Sequence, residues 1–125
     1  MRLLIVEDSP LVRRMYGLAF HRQDHELVEA ENGRQALDVI AASAEPFDLI
    51  LLDLRMPDMD GVEFIRAVRR QPLFDVPIIV TTSEPDSSEL LQQARVLGVA
   101  AVMKKPWKPQ ELADLVQSVR NRWHG

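Results

Sequence analysis

Asp53 closes an unbroken apolar run, Leu49-Ile50-Leu51-Leu52, and the turn Leu54-Arg55-Met56-Pro57 follows it directly. A second run, Leu3-Leu4-Ile5-Val6, ends in the same way, in Glu7-Asp8. Short continuous apolar runs read as strands buried on both faces, the mark of a parallel sheet. The C-terminal ends of such strands open into one crevice, where α/β sheets place their chemistry. Three carboxylates in one crevice repel one another unless a positive charge lies between them. The expected occupant is a divalent, oxygen-seeking cation, Mg²⁺ or alternatively Mn²⁺. An aspartate so placed can accept a phosphoryl group as an acyl phosphate. The transferred group bears dispersed negative charge, so positioning and countercharge matter more than bond-making side chains. Two further strand ends supply these: Lys105 offers a compact ammonium, and Thr82 a hydroxyl able to hydrogen-bond a phosphoryl oxygen. Alternation sends Lys104 and Lys105 to opposite faces, so at most one of them enters the site.

Short apolar strands alternate with amphipathic helices five times, with no repeat, linker or low-complexity segment. Strands are expected at Leu3–Val6, Glu26–Ala30, Leu49–Leu52, Pro77–Thr81 and Val99–Met103. The second is the most polar, as an edge strand would be. Ser9 and Pro10 open the first helix as N-cap and first-turn residue, with Leu11, Met15, Leu18 and Ala19 predicted inward at helical spacing. Asn32-Gly33 opens the second, with Leu37, Ile40 and Ala41 on one side. The third, after Gly61, buries Phe64, Ile65 and Val68. The fourth spans Ser87–Leu97 and stops at Gly98, a common residue just past a helix end. The fifth starts at Pro109 with Leu112, Leu115, Val116 and Val119 inward. Strands alternating with helices of this length mean βαβ units and a parallel sheet in a three-layer α/β sandwich.

The chain has 125 residues, 46% of them hydrophobic, enough for one domain with its own core over residues 1–125. It has no cysteine, which excludes disulfides, thiolate zinc sites and thiol catalysis. His21, His25 and His124 lack metal-ligand spacing and read as solvated residues at helix ends. No apolar stretch approaches the ~20 residues of a membrane span, and Glu7-Asp8 follows the first run too closely for a secretory leader. A cytoplasmic protein is expected, with no membrane partner. The net charge of −4 argues against direct nucleic-acid binding. Charge is uneven: residues 1–62 carry six Lys/Arg against twelve Asp/Glu, whereas residues 63–125 carry nine against seven.

Several segments together are similar to the receiver domains of two-component response regulators, of the single-domain, chemotaxis type. They are Leu-Ile-Val-Glu7-Asp8-Ser-Pro, Leu-Leu-Asp53-Leu-Arg-Met-Pro57-Asp-Met-Asp-Gly61, Pro-Ile-Ile-Val-Thr-Thr82-Ser and Lys105-Pro106-Trp. The resemblance implies a flavodoxin-like fold: five helices around a five-stranded parallel sheet of order 2-1-3-4-5. It implies Asp53 as acceptor of a phosphoryl group from a phosphohistidine on a sensor histidine kinase or phosphotransfer protein. Glu7, Asp8, Asp53 and the Arg55 backbone carbonyl become the Mg²⁺ ligands, Thr82 the switch hydroxyl and Lys105 the phosphoryl-binding lysine. Thr82, not Thr81, takes that role because it lies five residues after Pro77, as in relatives. The Lys105–Pro106 bond is expected to be cis. The chain would be a phosphoryl acceptor, self-catalysing its phosphorylation and dephosphorylation, rather than an enzyme acting on other substrates. Its output would be a shift of the face formed by the fourth helix, fifth strand and fifth helix, read by a downstream protein or a fused output domain.

Three positions depart from, or add to, that pattern. An aromatic rotor usually stands three places before the site lysine, where this chain has Val102, so signalling is expected to rely on displacement around Ser83–Leu97. Arg55 and Glu84 should flank the mouth of the site, where their opposite charges either pair and hinder water or stand solvated. Lys104, Lys108, Arg95, Arg120 and Arg122 make the output face basic, with Trp107 either an aromatic anchor there or packed over the last helix. Two rival chemistries were weighed. Asp58-Met59-Asp60-Gly61 imitates the nucleophile motif of haloacid-dehalogenase-type phosphatases but lies in a turn, beyond the strand end. A flavin-binding reading would require a phosphate loop after the first strand, and Glu7-Asp8 would repel that phosphate.

Overall fold

Each apolar run forms a strand in the computed structural model, which describes residues 1–20, 24–70 and 75–123. The order along the chain is β1 (Arg2–Val6), α1 (Pro10–Ala19), β2 (Glu26–Ala30), α2 (Gly33–Ala42), β3 (Leu49–Asp53), α3 (Gly61–Arg69), β4 (Ile78–Thr82), α4 (Glu89–Val96), β5 (Ala101–Lys104) and α5 (Pro109–Arg122). All pairings are parallel, and the sheet order is β2-β1-β3-β4-β5. This is the flavodoxin-like order expected above. The central strands β1, β3 and β4 are buried along almost their whole length, as strands covered on both faces must be. Among the described residues, no helix is long and apolar enough to cross a membrane.

Alternation divides the strand side chains between two cores. Leu4, Val6, Ile50, Leu52, Ile78 and Val80 meet α2, α3 and α4, where Ala36, Phe64, Ile65, Val68, Leu91 and Ala94 close the layer. Leu3, Ile5, Leu49, Leu51 and Ile79 face α1 and α5, against Tyr16, Phe20, Leu112, Val116 and Val119. Helix starts are fixed by side chains. Ser9, Asn32, Asp60 and Ser88 each accept a hydrogen bond from a backbone N–H of the first turn, and Asp60 and Glu63 form a reciprocal capping box.

Some expected inward positions are corrected. Leu11 and Leu18 are 67% and 73% exposed, and the inward stripe of α1 is instead Val12, Met15, Tyr16 and Ala19. Leu11 and Leu18 lie seven apart on a neighbouring stripe, and helical spacing alone does not say which of two stripes meets the sheet. Ala41 is exposed too, while Ala36, Leu37 and Ile40 carry the α2 contact. Helix α4 is shorter than Ser87–Leu97 because Ser88 caps it and Gly98 leaves it at φ 82°. Strands β3 and β4 each extend one residue further than expected, through Asp53 and Thr82, and β5 begins two residues later, at Ala101. His25 packs edge-on to Phe20 at 5.6 Å rather than standing in solvent; His21 and His124 lie outside the described residues.

Gly61 sits where α3 turns back onto β3. A Cβ there would lie 2.8 Å from Leu54 Cα and 2.9 Å from the Asp53 carbonyl oxygen. Since the clash is with backbone, Gly61→Ala is expected to cost about 1–3 kcal/mol of stability. Leu18→Lys, at an exposed position, should stay within about 0.5 kcal/mol of the parent. Urea midpoints measure both.

Candidate functional site

The C-terminal ends of β1 and β3 lie side by side, with Val6 in register with Leu52, so Glu7, Asp8 and Asp53 emerge together. One carboxylate oxygen from each of the three lies within 4.8 Å of the others. Glu7 and Asp53 are buried, whereas Asp8 is exposed at the rim. Lys105, just beyond β5, brings its Nζ to 2.8 Å from Glu7 Oε1 and 3.6 Å from Asp53 Oδ2. Glu7 is further fixed by the Ser9 backbone N–H, which donates to Oε2 at 3.2 Å. Arg13 Nη1 donates to the Glu7 carbonyl at 2.8 Å.

Burial raises the pKa of Glu7 above its ordinary 4.5, a shift opposed by the Lys105 hydrogen bond and reinforced by Asp53. Burial likewise raises Asp53 above 3.8, with Lys105 and the Arg55 backbone amide pulling the other way and Asp8 adding repulsion. Burial thus outweighs the stabilisation that one ammonium gives these two carboxylates. All the donors are hard carboxylate oxygens, the set that Mg²⁺ and Mn²⁺ prefer, so the cluster can hold a divalent cation.

Thr82 is buried at the end of β4 and its Oγ1 accepts from the Glu84 backbone N–H at 3.0 Å. The Lys105 backbone N–H donates to the Thr82 carbonyl at 2.8 Å, which ties the hydroxyl-bearing strand to the lysine. Thr81 points to the other face, where its Oγ1 meets the Tyr16 hydroxyl at 2.7 Å. The two threonines are thus separated by alternation, as expected. The Lys105–Pro106 bond is cis.

Arg55 and Glu84 do pair. The guanidinium lies 2.6 Å from Glu84 Oε1, on an Arg55 side chain that is mostly exposed. Glu84 also accepts from Ser88 Oγ at 3.2 Å, and its carbonyl accepts from Lys104 Nζ. Lys104 reaches Asp86 at 3.1 Å, and Arg95 lies 3.7 Å from the same carboxylate. The expected basic face is therefore partly neutralised within the chain: Arg120 also faces Asp48, at 3.4 Å. Trp107 is 4% exposed and packs at a tilt against Tyr16, so it is a core residue and no surface anchor. The phosphatase-like motif has structural explanations instead, since Asp60 is the α3 cap and Asp58 takes a turn conformation at φ 70°.

The family described as "Response regulator receiver domain" matches residues 3–117. The chain is 33% identical over 121 residues to a chemotaxis protein CheY homolog of Campylobacter jejuni, covering 95% of this chain and 92% of that protein. It is 36% identical over 121 residues to the phosphate regulon transcriptional regulatory protein PhoB of Pseudomonas aeruginosa, covering 96% of this chain but 52% of that one. Among solved structures, the chemotaxis response regulator CheY4 of Vibrio cholerae superposes with a TM-score of 0.84 at 34% identity, over 94% of this chain and 97% of that one.

The raised carboxylate values have a measurable consequence. When folding raises a carboxyl's pKa, the stability it contributes is complete below the unfolded value and is lost as pH rises through the folded value. Asp53→Asn removes one such loss. In metal-free protein the variant should therefore be more stable than the parent at about pH 7, with the difference vanishing toward about pH 4. Urea denaturation at the two pH values measures it.

Proposed function

The chain belongs to the response regulator receiver family, whose members are phospho-accepting switches of two-component systems, and from that premise we propose that Asp53 is the acceptor. What carries this reading is the convergence of Glu7, Asp8 and Lys105 on Asp53, buried at the end of β3. One Asp53 carboxylate oxygen attacks phosphorus as the N–P bond to a donor phosphohistidine breaks. The bonding electrons stay on the imidazole nitrogen, which takes a proton from solvent. Lys105 has three N–H donors, so it can keep one on Glu7 while another meets a phosphoryl oxygen. Thr82 Oγ1 accepts from the Glu84 amide, which leaves its own proton free to donate to the phosphoryl group. Glu7, Asp8, Asp53 and the Arg55 backbone carbonyl would hold Mg²⁺, or alternatively Mn²⁺, which when bound neutralises charge on the transferring oxygens.

The same groups serve self-catalysed phosphorylation by small donors and the later attack of water that breaks the P–O bond to Asp53. The Arg55–Glu84 pair at the mouth hinders that water and prolongs the acyl phosphate. Drawing the Thr82 hydroxyl toward the phosphoryl group disturbs the Glu84 amide and the segment Ser83–Leu97, and with it the α4–β5–α5 face, in place of an aromatic rotor at Val102. Residues 1–125 act as one receiver domain in the cytoplasm. The phosphodonor is a sensor histidine kinase or phosphotransfer protein, and the reader is a separate target protein or a fused output domain.

Incubation with Mg²⁺ and acetyl phosphate is expected to add one phosphoryl group, seen by intact mass, and none to Asp53→Asn; equal labelling of that variant would sink the assignment. Arg55→Ala and Glu84→Ala should each shorten the acyl phosphate's life roughly two- to fivefold, the scale of one exposed ion pair. Following the decay of the labelled protein checks this.

A further inference from the structure

We infer that Tyr16, which takes no part in the phosphoryl transfer described above, is a positioning residue for the site: bonded to Thr81 and packed against Trp107, it holds the Lys105 turn against Asp53. The inference rests on Asp53 being the acceptor. Tyr16 comes from α1, on the face of the sheet opposite the switch threonine, and is fully buried. Its hydroxyl lies 2.7 Å from Thr81 Oγ1. Thr81 is in register with Asp53 on one side and with Met103, two residues before Lys105, on the other. The ring centroid lies 5.0 Å from that of Trp107, two residues after Lys105. One side chain thus grips both the strand between acceptor and lysine and the turn that follows the lysine.

The turn needs such a support. A cleft of about 320 Å³ opens beside it, bordered by Val12, Met15, Ser83, Lys105, Pro106 and Trp107. The turn is therefore open to solvent there, and the buried ring of Tyr16 is the contact against which Trp107 rests. The surrounding core is otherwise apolar, including Leu3, Ile5, Phe20, Leu51 and Ile79. A hydroxyl pair in such a setting is costly unless mutually bonded, and when bonded it fixes orientation in a way that aliphatic contact does not. Burial, with the nearby charges of Glu7 and Asp53, pushes the Tyr16 phenol well above its ordinary range, so the hydroxyl keeps its proton at every working pH. The site depends on this geometry because an ammonium's attraction falls with distance. Small misplacements by residues remote from the chemistry can slow it strongly.

Tyr16→Phe removes the hydroxyl and keeps the ring, while Thr81→Val removes the same bond from its other end. With Mg²⁺ and acetyl phosphate, each is expected to slow Asp53 phosphorylation by roughly three- to tenfold. The loss should fall on the limiting rate and not on the donor or Mg²⁺ concentration giving half the effect. The double variant should be no slower than either single one, and Thr81→Ser should restore most of the parent rate. Should one single variant fail to fold, the other tests the same bond. Variants that lose stability yet phosphorylate at the parent rate would overturn the inference, as would a loss erased by more Mg²⁺ or donor. A parent protein that takes up no phosphoryl group at all would overturn the acceptor reading and this inference with it.

Discussion

The crowding of negative charge at the C-terminal ends of the central strands is the constraint to which the rest of the molecule answers. Parallel strands with β1 beside β3 deliver Glu7, Asp8 and Asp53 to the same place, and one ammonium faces them. Burial keeps water from relieving that repulsion, so the folded chain carries a standing electrostatic cost at its working centre. Two dense apolar layers, one on each face, supply the stability that tolerates it. A polar, open crevice would be easier to fold, but it would hold neither a cation nor an incoming phosphoryl group in fixed geometry.

The sequence made the site's frame legible because its signals were of the strongest kind. Leu3–Val6 and Leu49–Leu52 are apolar at every position, so strands buried on both faces were the direct reading, and the carboxylates at their ends followed from connectivity. Thr82 and Lys105 were legible through resemblance and alternation together. The misreadings came where periodicity was degenerate. In α1 the two leucines that look most hydrophobic face solvent, and a stripe that includes a tyrosine faces the core. No local spacing points to Tyr16, because its importance arises from Thr81 and Trp107, both far away in the chain. Trp107 was similarly ambiguous, since a tryptophan beside a surface loop can face either way.

The two loops that flank Asp53 differ in how they are fastened. The one after β3 is closed by backbone and by packing: Gly61 N–H donates to the Leu54 carbonyl at 2.9 Å, and the α3 capping box locks the next turn. The one after β4 is fastened by side chains, with Arg55 and Ser88 on the Glu84 carboxylate and Lys104 on its carbonyl and on Asp86. Solvated ion pairs of this sort hold weakly and exchange partners readily.

Gly61 therefore does more than save space. With no room even for a methyl group between α3 and the backbone at Leu54 and Asp53, Asp53 is mounted on an anvil. A group added to Asp53 cannot be accommodated by recoil on that side. The neighbouring loop, clasped by charged side chains, is the more compliant of the two supports.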